Sequence, residues 1–234
     1  MNRKEVFSEG EVYHLFNRGV EKRSIFINDQ DYLRFLHSIA EFNDTESAEN
    51  IFYKKEHVGS YEVKPRKLVK QNSLVELLAF TLLPNHYHLL LRQSRDGGIS
   101  EFMQKLGTGY TMYFNKKYTR VGSLFQGTFK SKLVASEEYE LYIPHYVHLN
   151  VLDVIQPGWK ESQLVLSDAL LEQLANYRWS SLGDYLGKNR YSSLLAKKTI
   201  KELFPTGKAY ANSMKEVLND LDDLDFVLRE SYEV

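Results

Sequence analysis

Residues 74–94, LVELLAFTLLPNHYHLLLRQS, consist of two apolar runs on either side of Pro84–Asn85. Each run has the length and composition of a strand, and a Pro-Asn pair favours a turn. We therefore predict two consecutive strands, residues 74–84 and 86–94, joined by a tight turn. The second strand carries two histidines, His86 and His88, in an otherwise apolar setting.

The flanking segments extend this pair of strands into a larger pattern. Residues 11–19 and 122–135 have strand-like composition, whereas apolar positions at helical spacing predict helices at 28–43, 97–119 and 136–153. The resulting order is β-α-β-β-α-β-α. Its first six elements are those of a ferredoxin-like fold, so we expect an α+β protein with an antiparallel sheet and helices on one face.

Two features set the expected boundaries. Pro144 falls inside the last predicted helix and should kink it or divide it into two pieces. The sequence QPGW, residues 156–159, indicates a boundary, so we predict a domain at 1–155 and an extension of helices and loops at 156–234 packed onto it. Residues 44–72 are polar and basic and are expected to form a long loop or a small excursion from the domain.

Composition narrows the function classes. The 234-residue chain has no cysteine, which excludes disulfides, thiolate zinc sites and cysteine nucleophiles. No window reaches the roughly 18 apolar residues of a membrane span, and the N-terminus lacks an apolar signal core. We expect a soluble, cytoplasmic protein with no membrane partner.

Charge is unevenly distributed although the formal net charge is only −1. The stretch 64–70 is basic, and residues 211–234 form an acidic tail. A second basic segment, 101–135, is suited to phosphate contacts, although an uneven solvated surface would look the same. Its cations are Lys105, Lys116, Lys117, Arg120, Lys130 and Lys132.

The two histidines of the second strand should point to the same face, about 7 Å apart, because side chains alternate along a strand. Such a pair could bind one divalent cation with further ligands from elsewhere, or it could be a hydrogen-bonded structural pair. Downstream, Tyr146 and Asn150 lie four residues apart and share one helix face. Tyr146 could be a nucleophile beside a metal-ligating amide or simply a core aromatic.

The ordered motifs LPNHYHLLL, GSLFQGTFKS, YVHLN and YRWSS, with the opening YHLFNRGVEKRSIF, resemble the REP-associated tyrosine transposases. These are single-tyrosine transposases of the HUH endonuclease superfamily, and the resemblance covers about residues 11–187. It implies that His86 and His88 coordinate Mg²⁺ or Mn²⁺, that Tyr146 is the nucleophile and that Asn150 completes the metal site.

The resemblance also implies a reaction and a partner. The expected activity is metal-dependent nicking and strand transfer on single-stranded or hairpin DNA, including repeat palindromes, through a covalent 5′-phosphotyrosine, by a monomer or homodimer. The six cations of segment 101–135 would follow phosphates. Tyr113 and Phe125 could stack on bases or belong to the core, Trp179 is expected to pack, and the acidic tail is expected to be a solvated helix or a shield for the basic groove.

The chain departs from the family pattern at three places: Val151 follows Asn150 where proline is usual, Thr128 stands where arginine is frequent, and Pro144 precedes the tyrosine. Two alternatives remain open, and the departures motivate the first of them. One is a non-catalytic or domesticated hairpin-binding regulator. The other is a metal enzyme of a different class, which would require Tyr146 to lie far from the two histidines.

Overall fold

The sheet has the strand order β2-β3-β1-β4. The computed structural model describes residues 6–45, 73–161 and 164–219. Within them the strands are β1 (Val12–Arg18), β2 (Val75–Leu83), β3 (His86–Gln93) and β4 (Lys130–Leu133). The helices are α1 (Asp29–Phe42), α2 (Gly98–Lys117), α3 (Glu137–Leu149), α4 (Leu152–Ile155), α5 (Asp168–Asn176), α6 (Leu182–Tyr185), α7 (Lys197–Leu203) and α8 (Gly207–Asn219).

All three strand pairs are antiparallel, and the order is that of a ferredoxin-like βαββαβ unit. The predicted fold class is therefore confirmed. The α1 and α2 helices cover one face, where Tyr87 of β3 packs against Phe35 of α1 with ring centroids 5.0 Å apart. Tyr110 of α2 closes this layer by donating a hydrogen bond to the carbonyl of Ile25 at 2.6 Å.

The opposite face of the sheet is covered by α3, whose contacts fall on β2 and β3. The expected division at Pro144 was wrong in position, because α3 runs through Pro144 to Leu149 and a separate α4 starts at Leu152. Pro144 removes one helical hydrogen bond. Burial of Ile143 and Val147 around it provides packing that offsets this loss.

The last strand is much shorter than the predicted 122–135. Only Lys130–Leu133 pair with β1, and the preceding loop touches the sheet through the bridge of Gly19 with Phe125. Leu124 and Phe125 are adjacent and both buried, which breaks the alternation that a half-exposed strand requires. The apolar residues of this segment therefore anchor a loop and do not extend the strand.

The C-terminal segment completes the open edge of β2. The amide of Leu82 donates to the carbonyl of Trp179 at 2.8 Å, and the amide of Ser181 donates to the carbonyl of Phe80 at 3.0 Å. Trp179 stacks on Tyr32 of α1 with centroids 4.5 Å apart, in the packing role expected for it. These contacts satisfy backbone groups that an edge strand would otherwise expose. The division of the chain at residue 155 remains a prediction.

Three expectations fall wholly or mainly outside the described residues. The predicted loop at 44–72, except for residues 44 and 45, lies there together with its basic stretch 64–70. The acidic tail from residue 220 onward lies there as well. Residues 211–219 belong to α8. Among the described helices, none combines the length and apolarity that a membrane crossing needs.

Gly98, where α2 begins, allows the helix to start close to β2. A Cβ atom there would stand 2.2 Å from the carbonyl oxygen of Leu74, which is backbone and cannot rotate away. We expect Gly98→Ala to lower the free energy of unfolding by about 2 kcal/mol, measured by urea denaturation. Gly107→Ala on the same helix is the control, because its Cβ would meet nothing within 4 Å. Equal stability of the two variants would contradict the steric explanation.

Candidate active site

The histidines of β3 lie where the strand begins, directly after the Pro84–Asn85 turn. His86 and His88 face the α3 side of the sheet, with ring centroids 5.2 Å apart and an interplanar angle of 78°. Only 7% of His86 and 1% of His88 is exposed. The side chain between them, Tyr87, points to the α1 side. The alternation predicted for this strand is therefore what brings the two imidazoles together.

A third histidine, which sequence reasoning missed, completes the cluster. The ring of His14 in β1 lies beside that of His88 and nearly parallel to it, with centroids 5.1 Å apart and an interplanar angle of 9°. Its Nε2 lies 2.9 Å from Nδ1 of His88. The pairing of β1 with β3 sets Phe16 opposite His88 and His14 opposite Leu90. A strand signal around His14 was visible in VYHLFNR, but the cross-strand register was not.

Hydrogen bonds hold the Nδ1 side of both candidate ligands. The Nδ1–H of His86 donates to Oδ1 of Asn85 at 2.6 Å. The amide of Asn85 is oriented by its own donation from Nδ2 to the carbonyl of Lys22 at 3.3 Å. The Nε2 atoms of His86 and His88 are buried and make no hydrogen bond in the described structure. This arrangement leaves Nε2 of His86 with a lone pair for a cation, and Nε2 of His88 has one as well when His88 carries its hydrogen on Nδ1.

Burial keeps these imidazoles neutral at neutral pH. Burial is the main reason that the pKa of His86 is lowered to about 4, with smaller contributions from the charges of Arg18 and Lys160 and an opposing one from Asp153. The pKa of His88 is well below its usual value, mainly by burial and then through His14 and His86. A neutral imidazole retains the lone pair that metal binding requires.

Tyr146 of α3 lies against the histidine cluster. Its ring meets His14 and His88 edge to face, with centroids 5.4 and 5.8 Å apart. The structure therefore brings together the two histidines of β3 and the tyrosine of α3 that the sequence analysis selected. A metal enzyme of another class required Tyr146 to be distant, and this requirement is not met. Tyr146 is only 2% exposed, so a phosphate reaches it only after a local opening.

The helix that carries Tyr146 is held by a second pair of histidines on α3. His148 hydrogen-bonds through Nδ1 with the hydroxyl of Tyr210 at 2.6 Å and through Nε2 with Oγ of Ser181 at 2.7 Å. Nε2 of His145 lies 2.9 Å from Oγ of Ser213. These bonds join α3 to α8 and to the segment that borders β2. They restrict the position of the helix on either side of Tyr146.

Asn150 caps α3 and is almost completely buried. Its Nδ2 donates to the carbonyl of Tyr146 at 2.7 Å, which turns that nitrogen toward the helix and leaves Oδ1 as the acceptor atom of the side chain. Asp153, one turn further on α4, was missed by the sequence analysis. Its charge acts on His86, and its Oδ1 accepts a hydrogen bond from Nε1 of Trp159 at 2.8 Å.

The donor set fits part of a metal site. No group of three or more histidine, aspartate or glutamate side chains arranged for a metal occurs within residues 6–45, 73–161 and 164–219. A divalent cation such as Mg²⁺ often keeps several waters and takes substrate phosphate oxygens as ligands, so a site with few protein donors can be completed in this way. Because imidazole is a softer donor than Mg²⁺ prefers, this pair suits Mn²⁺ better.

The six cations proposed for DNA contact lie in different settings. Lys105 pairs with Glu101 at 2.6 Å, and Lys117 pairs with buried Asp31 at 2.6 Å. Arg120 donates to Asn115 at 2.9 Å, and Lys116 is exposed on α2. The other two, Lys130 and Lys132, lie on the edge strand β4, beside His14.

Lys132 is directly opposite His14 in the pairing of β1 with β4. Its charge, together with the larger effect of burial, lowers the pKa of His14 to about 3. Of the six proposed cations, Lys130 and Lys132 on β4 are therefore the two whose strand adjoins the histidine cluster. The remaining four belong to α2 and the residues that follow it.

A groove with a volume of about 560 Å³ lies between α2 and the loop that precedes β4. Thr128, where the family often has arginine, is exposed at this groove, and Tyr87 contributes to its wall. It therefore opens on the side of the sheet opposite His86 and His88. Of the two aromatics considered for stacking, Phe125 is buried in the core, and Tyr113 donates a hydrogen bond to Asp31 at 2.9 Å.

In a comparison with known protein families, residues 50–150 match a family model described as "Transposase IS200 like". The matched segment contains His86, His88, Tyr146 and Asn150, and it confirms the resemblance drawn from the motifs over this part of the chain. No curated protein matches the chain. A solved structure of a REP-associated tyrosine transposase bound to a REP hairpin is similar at 12% identity and a TM-score of 0.47, covering 84% of this chain and 91% of that chain.

Proposed function

We propose that this transposase-like protein is a metal-dependent endonuclease and strand transferase for single-stranded or hairpin DNA. One observation carries the proposal: Tyr146 packs edge to face on His88, beside two buried Nε2 atoms that make no hydrogen bond. A structural histidine pair would be expected to satisfy these atoms within the protein. Two buried imidazole nitrogens without a hydrogen-bond partner could instead donate their lone pairs to a cation, and the adjacent tyrosine could attack a phosphate bound to that cation.

In the proposed reaction, the phenol oxygen of Tyr146 attacks the scissile phosphorus in line. A bond from the tyrosine oxygen to phosphorus forms, the bond to the 3′-oxygen breaks, and that oxygen leaves as a hydroxyl after taking up a proton. The product is a 5′-phosphotyrosine, which a 3′-hydroxyl can later attack to reseal or join strands. The phosphodiester energy is retained in this linkage, so no ATP is needed.

His86 and His88 would hold Mg²⁺ or Mn²⁺ through Nε2, with Oδ1 of Asn150 as the proposed third protein ligand. When bound, the cation supplies charge that offsets the developing negative charge on the phosphate. The protein contributes the fixed orientation of both imidazoles through Asn85 and His14. The pKa of a free phenol is about 10, so ionisation of Tyr146 must be assisted within the site.

DNA would approach along β4, because Lys130 and Lys132 place positive charge on the strand that adjoins His14. Phosphate contacts by lysine position a nucleic acid without reading its sequence, and they weaken as salt concentration rises. The partner class is thus single-stranded or hairpin DNA, for a monomer or a homodimer. The burial of Tyr146 means that binding must be accompanied by local opening of the site.

The activity is tested with hairpin oligonucleotides that carry single-stranded flanks, taken from repeat palindromes of the genome that encodes the protein. Each is incubated with the protein and Mn²⁺, Mg²⁺ or chelator, and the products are separated on a denaturing gel. We expect a covalent protein–DNA adduct with Mn²⁺ or Mg²⁺ and none with chelator. Failure to form an adduct with any repeat hairpin in either metal would overturn the proposal.

A second candidate function is a non-catalytic or domesticated regulator that binds DNA hairpins. It is favoured by the 2% exposure of Tyr146 and by Val151, which is buried where the family usually has proline. Tight hairpin binding that is indifferent to chelation, with no cleavage under any metal, would support this candidate and exclude the first.

A further inference from the structure

His14 and His88 share a single hydrogen between two ring nitrogens. The Nε2 of His14 and the Nδ1 of His88 are 2.9 Å apart, and both rings are 1% exposed. Because the two nitrogens are close enough for only one hydrogen between them, one nitrogen of this pair must donate and the other must accept. The direction of the bond decides which nitrogen of His88 carries its hydrogen.

The two possible directions have different consequences for the buried face of His88. If Nδ1 of His88 donates to His14, its Nε2 presents a lone pair to the site. If His14 donates, Nε2 of His88 must carry the hydrogen, and this N–H would be buried with no acceptor. A buried N–H without an acceptor is disfavoured, because it loses its hydrogen bond to water and gains none in the protein. The first direction is also the one that leaves His88 able to bind a cation.

We propose that His14 is a positioning residue that accepts the Nδ1–H of His88 and so presents the Nε2 lone pair of His88 to the site. That this lone pair serves to bind a cation rests on the proposed function. His14 acts through His88, in the same way that Asn85 acts through His86 at 2.6 Å. Partners of this kind typically change metal affinity by 10- to 100-fold when they are removed.

The packing around His14 supports a fixed ring orientation. Its ring lies parallel to His88 within 9° and meets Tyr146 edge to face at 87°. Phe16, two residues along β1, stacks on both His14 and His88. The ring is therefore held on several sides by aromatic neighbours, and rotation that would break the bond to His88 is opposed by packing.

The first measurement needs no metal and no variant. Long-range ¹H–¹⁵N NMR correlations of the metal-free protein report which nitrogen of His88 is protonated. We expect the Nδ1–H form. Observation of the Nε2–H form as the main species would overturn the proposal, whether or not the protein binds metal or cleaves DNA.

The second measurement is the Mn²⁺ affinity of wild type, His14→Leu and His14→Gln, determined by titration with detection by electron paramagnetic resonance. We expect His14→Leu to weaken Mn²⁺ binding by about 10- to 100-fold. Glutamine can still accept through Oε1, so His14→Gln should recover most of the loss. His37→Leu on α1, on the other side of the sheet, is the control for loss of a partly buried imidazole and should keep wild-type affinity.

The outcomes separate this inference from the proposed function. Unchanged Mn²⁺ affinity in a folded His14→Leu variant, or equal losses in the leucine and glutamine variants, would overturn the role of His14. A wild-type protein that binds no Mn²⁺ would instead contradict the metal site, and the NMR result would still decide the direction of the His14–His88 bond. Thermal melting of each variant establishes that the comparison is between folded proteins.

Discussion

Tyr146→Phe is expected to abolish the covalent protein–DNA adduct, with a loss of at least about 1,000-fold in the rate of its formation. The variant removes only the oxygen that would form the bond to phosphorus, and phenylalanine offers no alternative nucleophile. The ring contacts with His14 and His88 remain possible, so the fold and the metal site should be retained. Adduct formation is quantified on denaturing gels with a labelled hairpin.

Tyr142→Phe is the matched control, because Tyr142 lies one turn earlier on α3 and is partly buried. It should form the adduct at the wild-type rate, and both variants should bind the hairpin as wild type does. Persistence of the adduct in Tyr146→Phe, or its mapping by mass spectrometry to another tyrosine, would exclude Tyr146 as the nucleophile. Loss of hairpin binding in Tyr146→Phe would instead indicate a role in recognition.

Asp31→Asn is expected to lower the free energy of unfolding by about 3 kcal/mol at neutral pH. The fully buried carboxylate accepts hydrogen bonds from Lys117, Tyr118, Tyr113 and the amide of Ile27, at 2.6 to 2.9 Å. Asparagine keeps the shape but leaves the Lys117 ammonium without its countercharge, and it presents an NH₂ group to donors. This network joins the start of α1 to the end of α2.

The pH dependence of this effect follows from the pKa of Asp31. Burial raises that pKa, but the hydrogen bonds from Lys117, Tyr118, Ile27 and Tyr113 together hold it below the ordinary 3.8. A carboxyl group with a lowered pKa contributes stability above its unfolded pKa and loses it as the pH falls through the folded value. The difference between wild type and Asp31→Asn should therefore be full at neutral pH and shrink below pH 3.8.

Urea denaturation at a series of pH values measures this difference. Asp29→Asn is the control, because Asp29 is exposed and forms a surface ion pair with Arg178 at 2.7 Å, which contributes at most about 1 kcal/mol. A difference for Asp31→Asn that does not change with pH would show that its charge is not what stabilises the protein. The same result would show that the ion pair of Lys117 with Asp31 does not stabilise the fold, and Lys117 would again be a candidate for phosphate contact.

The local chemistry of the chain was enough to predict the order of the elements and half of the candidate site. Alternation along HYHLLL places His86 and His88 on one face, because strand geometry is a property of successive residues. Likewise, helical spacing predicts that Tyr146 and Asn150 share a face, and the amide of Asn150 does reach the carbonyl of Tyr146. Choosing Tyr146 among 16 tyrosines still required the family resemblance.

Other features depend on which distant segments meet, and no local pattern encodes that. The pairing of β1 with β3 brings His14 next to His88, and the packing of α1 against α2 allows Lys117 to form an ion pair with Asp31. The alternating pattern of residues 122–135 predicted a full strand, but burial of the adjacent Leu124 and Phe125 produced a loop. Periodicity specifies which side chains share a face of a helix or strand. The register between strands and the docking of helices arise from packing between such faces. That packing brought His14 and Tyr146 to the histidine pair of β3.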